Sequence, residues 1–254
     1  MANKIIRIIA LGAVLFITTV GLGGEAEDKF AEANRLYREE NFSGAHDLYL
    51  AMLDSGYESG ELYYNLGNAC FKIGDLGGSI LYYEKARILL PRDKDLEHNL
   101  RMAQMRVADR VEVPRLAIWK FLDTLRDYLP MNLLSGATLA GFLLFLAIFA
   151  AYYFLPKGGL KKSFFYLSLP FFIIFLVLAM NLSLRIWRLE NIREGVLLAE
   201  KVEVLAAPDE DGKGLFSLHE GVKFRIVQEL PPWSEIALPD GKKGWIRQDS
   251  FAEI

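Results

Sequence analysis

Residues 61–94 read ELYYNLGNACFKIGDLGGSILYYEKARILLPRDK, and they align without a gap on residues 27–60 at an offset of 34. Ala33 falls on Gly67, Asn34 on Asn68, Tyr37 on Phe71, Phe42 on Leu76, Ala45 on Ser79, Tyr49 on Tyr83 and Met52 on Ala86. A fixed period of this length is the mark of a helix–turn–helix unit that buries its apolar face only by stacking on its neighbour. The spacing predicts two helical repeats over 27–94 and a further helix from about Lys94 to Asp109. Pro114 stands where a partner for that last helix would run, so it is read as a terminal cap.

On either side the character changes. Before the repeats, Lys4 and Arg7 enter an apolar run that ends at Val20, followed by Gly21-Leu22-Gly23-Gly24. A basic start, a short apolar core and a small-residue tail predict a secretory signal over 1–24, with an uncleaved anchor as the alternative. Behind the repeats, Leu133–Leu155 and Ser163–Leu184 contain no charged residue. Each covers about 33 Å as a helix, enough for a hydrocarbon core of about 30 Å. Spans over 132–155 and 163–186 are therefore predicted, joined as a hairpin, with Pro170 inside the second expected to kink it. Tyr128, Tyr152, Tyr153 and Trp187 sit near the span ends, where amphipathic rings favour the interface. An exported N-terminus places both flanks on the periplasmic side of a bacterial inner membrane. Lys157, Lys161 and Lys162 in the short loop agree with this, while Arg185, Arg188 and Arg193 after the second span do not.

Residues 111–130 carry Leu116, Trp119, Leu122, Leu125 and Leu129 at helical spacing, an amphipathic linker. From residue 192 to 254 the period shifts to two. Val202–Val204, Lys223–Val227 and Glu235–Leu238 alternate between turn signals at Pro208–Gly214 and Pro239-Asp240-Gly241, which predicts a closed or nearly closed β-barrel. The expected fold is thus a multi-domain membrane protein: an all-α solenoid, a two-helix transmembrane hairpin and a small all-β barrel.

Composition narrows the function classes. The chain has 254 residues, 52% of them apolar, with mean hydropathy +0.20. Its 29 Lys and Arg against 32 Asp and Glu give a net charge of −3, unlike the basic surface a nucleic-acid binder needs. One cysteine excludes an internal disulfide and a CxxC pair, and three histidines in different elements lack ligand spacing. No HExxH, GxSxG, GxxxxGK[ST] or GxGxxG motif occurs. The expectation is a protein that is not an enzyme and needs no cofactor or metal. Cys70 is read as a small buried core residue.

Three resemblances carry the rest. The pattern Tyr64-Asn-Leu-Gly-Asn68, Gly74-Asp-Leu76, Tyr82-Tyr-Glu-Lys-Ala86 and Pro91 resembles the tetratricopeptide repeat. Its inner face would then hold Phe30, Asn34, Tyr37 and Arg38; Tyr64, Asn65, Asn68, Phe71 and Lys72; and His98, Asn99, Met102 and Arg106. The resemblance implies a groove in which asparagines grip an extended peptide and the cations Arg38, Lys72 and Arg106 attract carboxylates. Phe30 and Met102 stand where a complete carboxylate clamp would have cations, and a plain solvated helix face would show the same polar residues. Gly221, Trp233, Gly241, Gly244 and Trp245 resemble bacterial SH3 domains. Of the two tryptophans, Trp245 is expected to close the barrel, while Trp233 is the ligand candidate. Two prolines replace the acidic turn that the family has before that tryptophan. The whole order is similar to the BatE branch of the Bacteroides-aerotolerance proteins. That resemblance implies an inner-membrane protein working with other membrane-associated proteins of its family, in envelope stress or complex assembly. The expected function is a scaffold for protein partners; the alternative is a sensor that binds peptidoglycan through the SH3-like part.

Overall fold

A computed structural model of the chain describes residues 24–109, 128–156 and 158–254. Residues 1–23 of the predicted signal and residues 111–127 of the predicted linker lie outside the described residues, while Gly24, the last residue of the predicted signal, begins the first helix.

Five helices come first: α1 (residues 24–38), α2 (Phe42–Asp54), α3 (Gly60–Ile73), α4 (Leu76–Leu89) and α5 (Lys94–Gln104). Their start points recur with the sequence period. Asn41 accepts from the Gly44 N–H at 3.0 Å and Asp75 from the Gly78 N–H at 2.8 Å. Ser59 accepts from the Leu62 N–H at 3.1 Å and Asp93 from the Leu96 N–H at 2.8 Å. Each side-chain oxygen satisfies one orphan donor of the first helical turn, which is why the helices start there. Gly74 ends α3 at φ +91, a left-handed conformation that glycine adopts without steric cost. Close approach recurs too: a Cβ on Gly67 would lie 2.6 Å from the Tyr83 ring, so α3 and α4 meet there through a missing side chain. The last helix stops at Gln104 instead of Asp109, because a tight turn follows in which the N–H groups of Arg106 and Val107 donate to the carbonyls of Ala103 and Gln104. That turn delivers Val107 into the core.

Two long apolar helices follow, α6 (Met131–Phe154) and α7 (Gly159–Asn191). The second starts four residues earlier and ends five later than the predicted span 163–186, and it runs through Pro170 as one helix. Ring pairs climb the hairpin in opposite chain directions: Phe142 with Phe175 at 5.1 Å, Phe145 with Phe172 at 5.0 Å, Tyr152 with Phe165 at 5.6 Å. Only 11% and 6% of their most apolar windows are buried, so neither is the core helix of a soluble domain. Both are long and apolar enough to cross a bilayer.

The remainder is a seven-stranded antiparallel sheet: β1 (Arg193–Leu197), β2 (Lys201–Leu205), β3 (Gly214–His219), β4 (Lys223–Leu230), β5 (Trp233–Ala237), β6 (Lys243–Arg247) and β7 (Phe251–Glu253). Strand order is β3-β2-β6-β5-β4-β1-β7. The three predicted strands correspond to β2, β4 and β5. The hydrogen-bonded ladder is open, ending at β3 and β7, where the alternation predicted closure or near-closure. Only Ile192 separates α7 from β1, so the sheet is carried directly on the second long helix.

Helices and sheet are not separate bodies. Ile80, Tyr83, Leu96, Leu100 and Val107 from the helices share one buried cluster with Val196, Val222, Phe224, Ile236 and Ile246 from the sheet. A second cluster, built on Ala33, Tyr49, Leu62, Leu66 and Cys70, lies within α1–α3.

Candidate functional site: the repeat face and the outer sheet face

The four asparagines of the predicted groove are tied in two pairs, one per period. Asn34 Oδ1 accepts from the Tyr49 hydroxyl at 2.7 Å and from Asn65 Nδ2 at 2.9 Å. One period later, Asn68 Oδ1 accepts from the Tyr83 hydroxyl at 2.8 Å and from Asn99 Nδ2 at 2.9 Å. Asn99 Nδ2 also donates to the Tyr64 hydroxyl at 3.0 Å. Tyr49 and Tyr83 are each 1% exposed, so their hydroxyls need these partners. Burial pushes the Tyr49 phenol up to about 12, with Tyr37 adding to the effect, and pushes the Tyr83 phenol higher still. The asparagine oxygens thus hold one helix to the next. The oxygens of Asn34 and Asn68 are thus committed within the fold, which narrows the peptide-gripping role expected from the resemblance.

The cations are placed differently. Arg38, Lys72 and Arg106 are all exposed. Lys72 Nζ stands 5.4 Å from the centre of the Phe42 ring, and the Arg106 guanidinium 4.1 Å from that of Phe71. Such contacts hold a cation in place while its N–H edge stays in water. His98 and Met102 are exposed on α5.

Sequence reasoning missed what lies beside this face. The β3–β4 turn reaches the helices, where Glu220 accepts from the Gly77 N–H at 3.3 Å and lines a cleft of about 180 Å³ with Phe71, Gly74, Leu76 and Arg106. A carboxylate of the sheet therefore borders the cationic stripe. Glu84 was equally invisible as a site. Its side chain is 3% exposed and meets Lys223 Nζ at 3.1 Å and Arg87, while Lys223 also pairs with Glu194 at 2.7 Å. The His219 N–H and ring Nδ1 lie 2.6 and 3.0 Å from one Asp109 oxygen. A larger cleft of about 370 Å³ opens between these contacts, against Ile80, Met105, Val107 and Val222. Its polar rim is already paired within the protein, so it presents no convergent free charges. Among the described residues no cluster of His, Cys, Asp and Glu could hold a metal ion.

On the sheet, register sets the other candidate. Trp233 stands opposite Arg247 and Glu235 opposite Trp245. Directly opposed residues point to the same side, so both tryptophans share a face with Glu235 and Arg247. Ser234, Ile236, Gly244 and Ile246 take the buried side. Trp245 is therefore half-buried beside Trp233 and does not close a core as expected. The residue after Gly244 simply falls on the outer parity of β6, while Gly244 itself is the close-approach position, its Cβ site 2.5 Å from Val204 Cγ1.

No protein-family model and no curated protein matches the chain. Among solved structures it is similar to an NlpC/P60 family protein from Bacillus cereus, at 18% identity and a TM-score of 0.21. That likeness covers 26% of this chain and 21% of the other, and at this level it carries no argument about activity.

Proposed function

We propose that the chain is a membrane-anchored, non-enzymatic scaffold that recruits protein partners through a tetratricopeptide-type groove and an SH3-like sheet. The reading takes residues 27–110 as two such repeats with a capping helix and the chain as BatE-like. The observation that carries it is the exposed stripe of Arg38, Lys72 and Arg106 at one-period intervals, held over a hydrogen-bond ladder with the same period. A repeated cationic surface on a fixed scaffold suits an acidic or C-terminal peptide segment, because each carboxylate meets a cation already positioned. Carrying a second module on the same anchor raises its effective concentration for a shared partner.

Both flanks belong on one side of the membrane in this reading. Helices that precede the hairpin and strands that follow it share an apolar core, and no core can extend through a bilayer. The export-type N-terminus makes that side the periplasm. In sealed spheroplasts, a membrane-impermeant thiol reagent should label both Arg38→Cys and Lys242→Cys; labelling of just one would refute the hairpin. For the groove, crosslinking in membranes followed by mass spectrometry should identify partners that the triple variant Arg38→Glu, Lys72→Glu, Arg106→Glu loses. Unchanged partners would remove the groove.

The half-buried Trp233 and Trp245, on one face of the sheet, support a second reading, a wall sensor, since aromatic faces stack on glycan or peptide strands. Sedimentation of the detergent-solubilised full chain with purified peptidoglycan, with and without Trp233→Ala, separates the two.

A further inference from the structure

The last turn of α4, where the chain bends toward α5, exposes two large apolar side chains. Ile88 is 42% and Leu89 47% exposed, side by side at the end of α4. Arg92, three residues on, stacks its guanidinium 4.1 Å from the centre of the Tyr128 ring and donates to the Tyr128 hydroxyl at 3.0 Å. Tyr128 is itself 51% exposed and stands three residues before α6 begins at Met131, within about 10 Å of chain. Leu129, the next residue, receives a hydrogen bond from Arg185 of α7 through its carbonyl. Beyond Arg185, α7 continues for six residues, about 9 Å, before β1 starts.

These relations fix a height. A helix of 24 residues is about 36 Å long, so α6 outlasts a hydrocarbon core of about 30 Å, and Met131 sits near its boundary. Tyr128, Leu129 and Arg185 then lie in the headgroup layer, and the α4–α5 turn is held at that level by the Arg92–Tyr128 contact. An exposed Ile-Leu pair at headgroup depth, with an arginine whose stem can lie along apolar surface and whose head stays polar, matches an interfacial lipid contact.

We propose that the α4–α5 turn is a membrane-surface contact, in which Ile88 and Leu89 enter the phospholipid headgroup layer beside the first span and Arg92 meets lipid phosphate. This rests on α6 and α7 crossing the bilayer, as in the reading above. The turn also carries Asp93 and Asp95 against Arg92 and Lys94, so contact is driven by apolar burial and not by anionic lipid. Its consequence is that the helical repeats stand in one orientation on the membrane, with a third point of attachment besides the two spans.

The test uses the full chain reconstituted in phosphatidylcholine nanodiscs, with a fluorophore on Leu89→Cys, on Leu144→Cys in α6, or on Arg38→Cys as an aqueous control. Cys70 is buried and leaves the introduced thiol as the reactive one. A lipid-borne quencher placed near the headgroup should remove about half of the Leu89→Cys emission, given the depth of about 5–10 Å usual for interfacial segments, and leave Arg38→Cys bright. Replacing a third of the lipid with phosphatidylglycerol should change neither result. If Leu144→Cys is quenched by a deep-chain quencher but Leu89→Cys behaves like Arg38→Cys, the turn does not touch lipid and the proposal is overturned while the spans stand. If Leu144→Cys escapes every lipid quencher, the spans fail and this contact fails with them.

Discussion

Lys223 of β4 places its ammonium 3.1 Å from the carboxylate of Glu84 on α4, across the junction of helices and sheet. The carboxylate is withdrawn from water and depends on this partner together with Arg87 and Gln104. Lys223→Met should destabilise the folded unit by about 2–3 kcal/mol, near the low end for an unpaired buried charge because Arg87 remains. Glu84→Gln combined with Lys223→Met should cost less than the two single changes added together, with a coupling of about 1 kcal/mol or more. Urea midpoints of the detergent-solubilised chain would measure both.

The turn beside that pair is sterically closed. Gly221 has φ +82, and a Cβ there would stand 2.8 Å from Ile80 Cδ1 and 3.0 Å from Val107 Cγ2. Gly221→Ala should cost about 2–4 kcal/mol, combining left-handed strain with overpacking. Gly241 shares the positive φ but meets nothing within 4 Å, so Gly241→Ala should cost only the strain, about 1–2 kcal/mol. The difference between the two thermal shifts reports helix–sheet docking alone.

The asparagine ladder predicts a stability effect where a groove alone would predict only a binding effect. Asn68→Leu removes the acceptor of the buried Tyr83 hydroxyl and should cost about 1–3 kcal/mol. Adding Tyr83→Phe should recover part of that loss, since the orphaned hydroxyl goes with it. Asn34→Leu with Tyr49→Phe should behave in parallel. Lys72→Glu, on an exposed side chain, should leave the midpoint almost unchanged.

Alkali should destabilise the helical repeats, whose buried groups hold their protons beyond the range in which exposed ones lose them. Burial, with Asp75 next in effect, raises the Cys70 thiol well above its ordinary 9.0, and burial raises Tyr49 and Tyr82 from 10.0 to about 12. These groups keep their protons longer when folded, so the unfolded chain releases protons first as pH rises. Their contribution to stability is therefore fully present below about pH 9 and is lost from there through pH 12. Tyrosinate absorbance and circular dichroism should change together in a pH titration. For the same reason, Cys70 should resist iodoacetamide at pH 8 and react only in denaturant.

Much of the architecture was legible in the residues themselves. The 34-residue period marked two helical repeats and a further helix, and the caps that the structure shows, Asn41 with Asp75 and Ser59 with Asp93, recur at that period because capping is a local demand on residue type. The absence of charge over two stretches marked α6 and α7, since an apolar run long enough for a bilayer needs no tertiary information. Strands β2, β4 and β5 showed through alternation. The others did not: β1 reads Arg-Glu-Gly-Val-Leu, and its inward positions are set by pairing to β4 and β7.

What the chain's order alone did not convey was who faces whom. Asn34 and Asn68 are polar residues on a helix face whether they wait for a peptide or accept from a buried tyrosine, and only the packed structure assigns the second role. Trp245 takes the outer face through the register of β5 and β6, which a one-residue slip would reverse. Glu84 and Lys223 are far apart in sequence and meet because the hairpin returns the chain to its own helices. Local chemistry determined the elements; long-range packing decided that helices and sheet are one body.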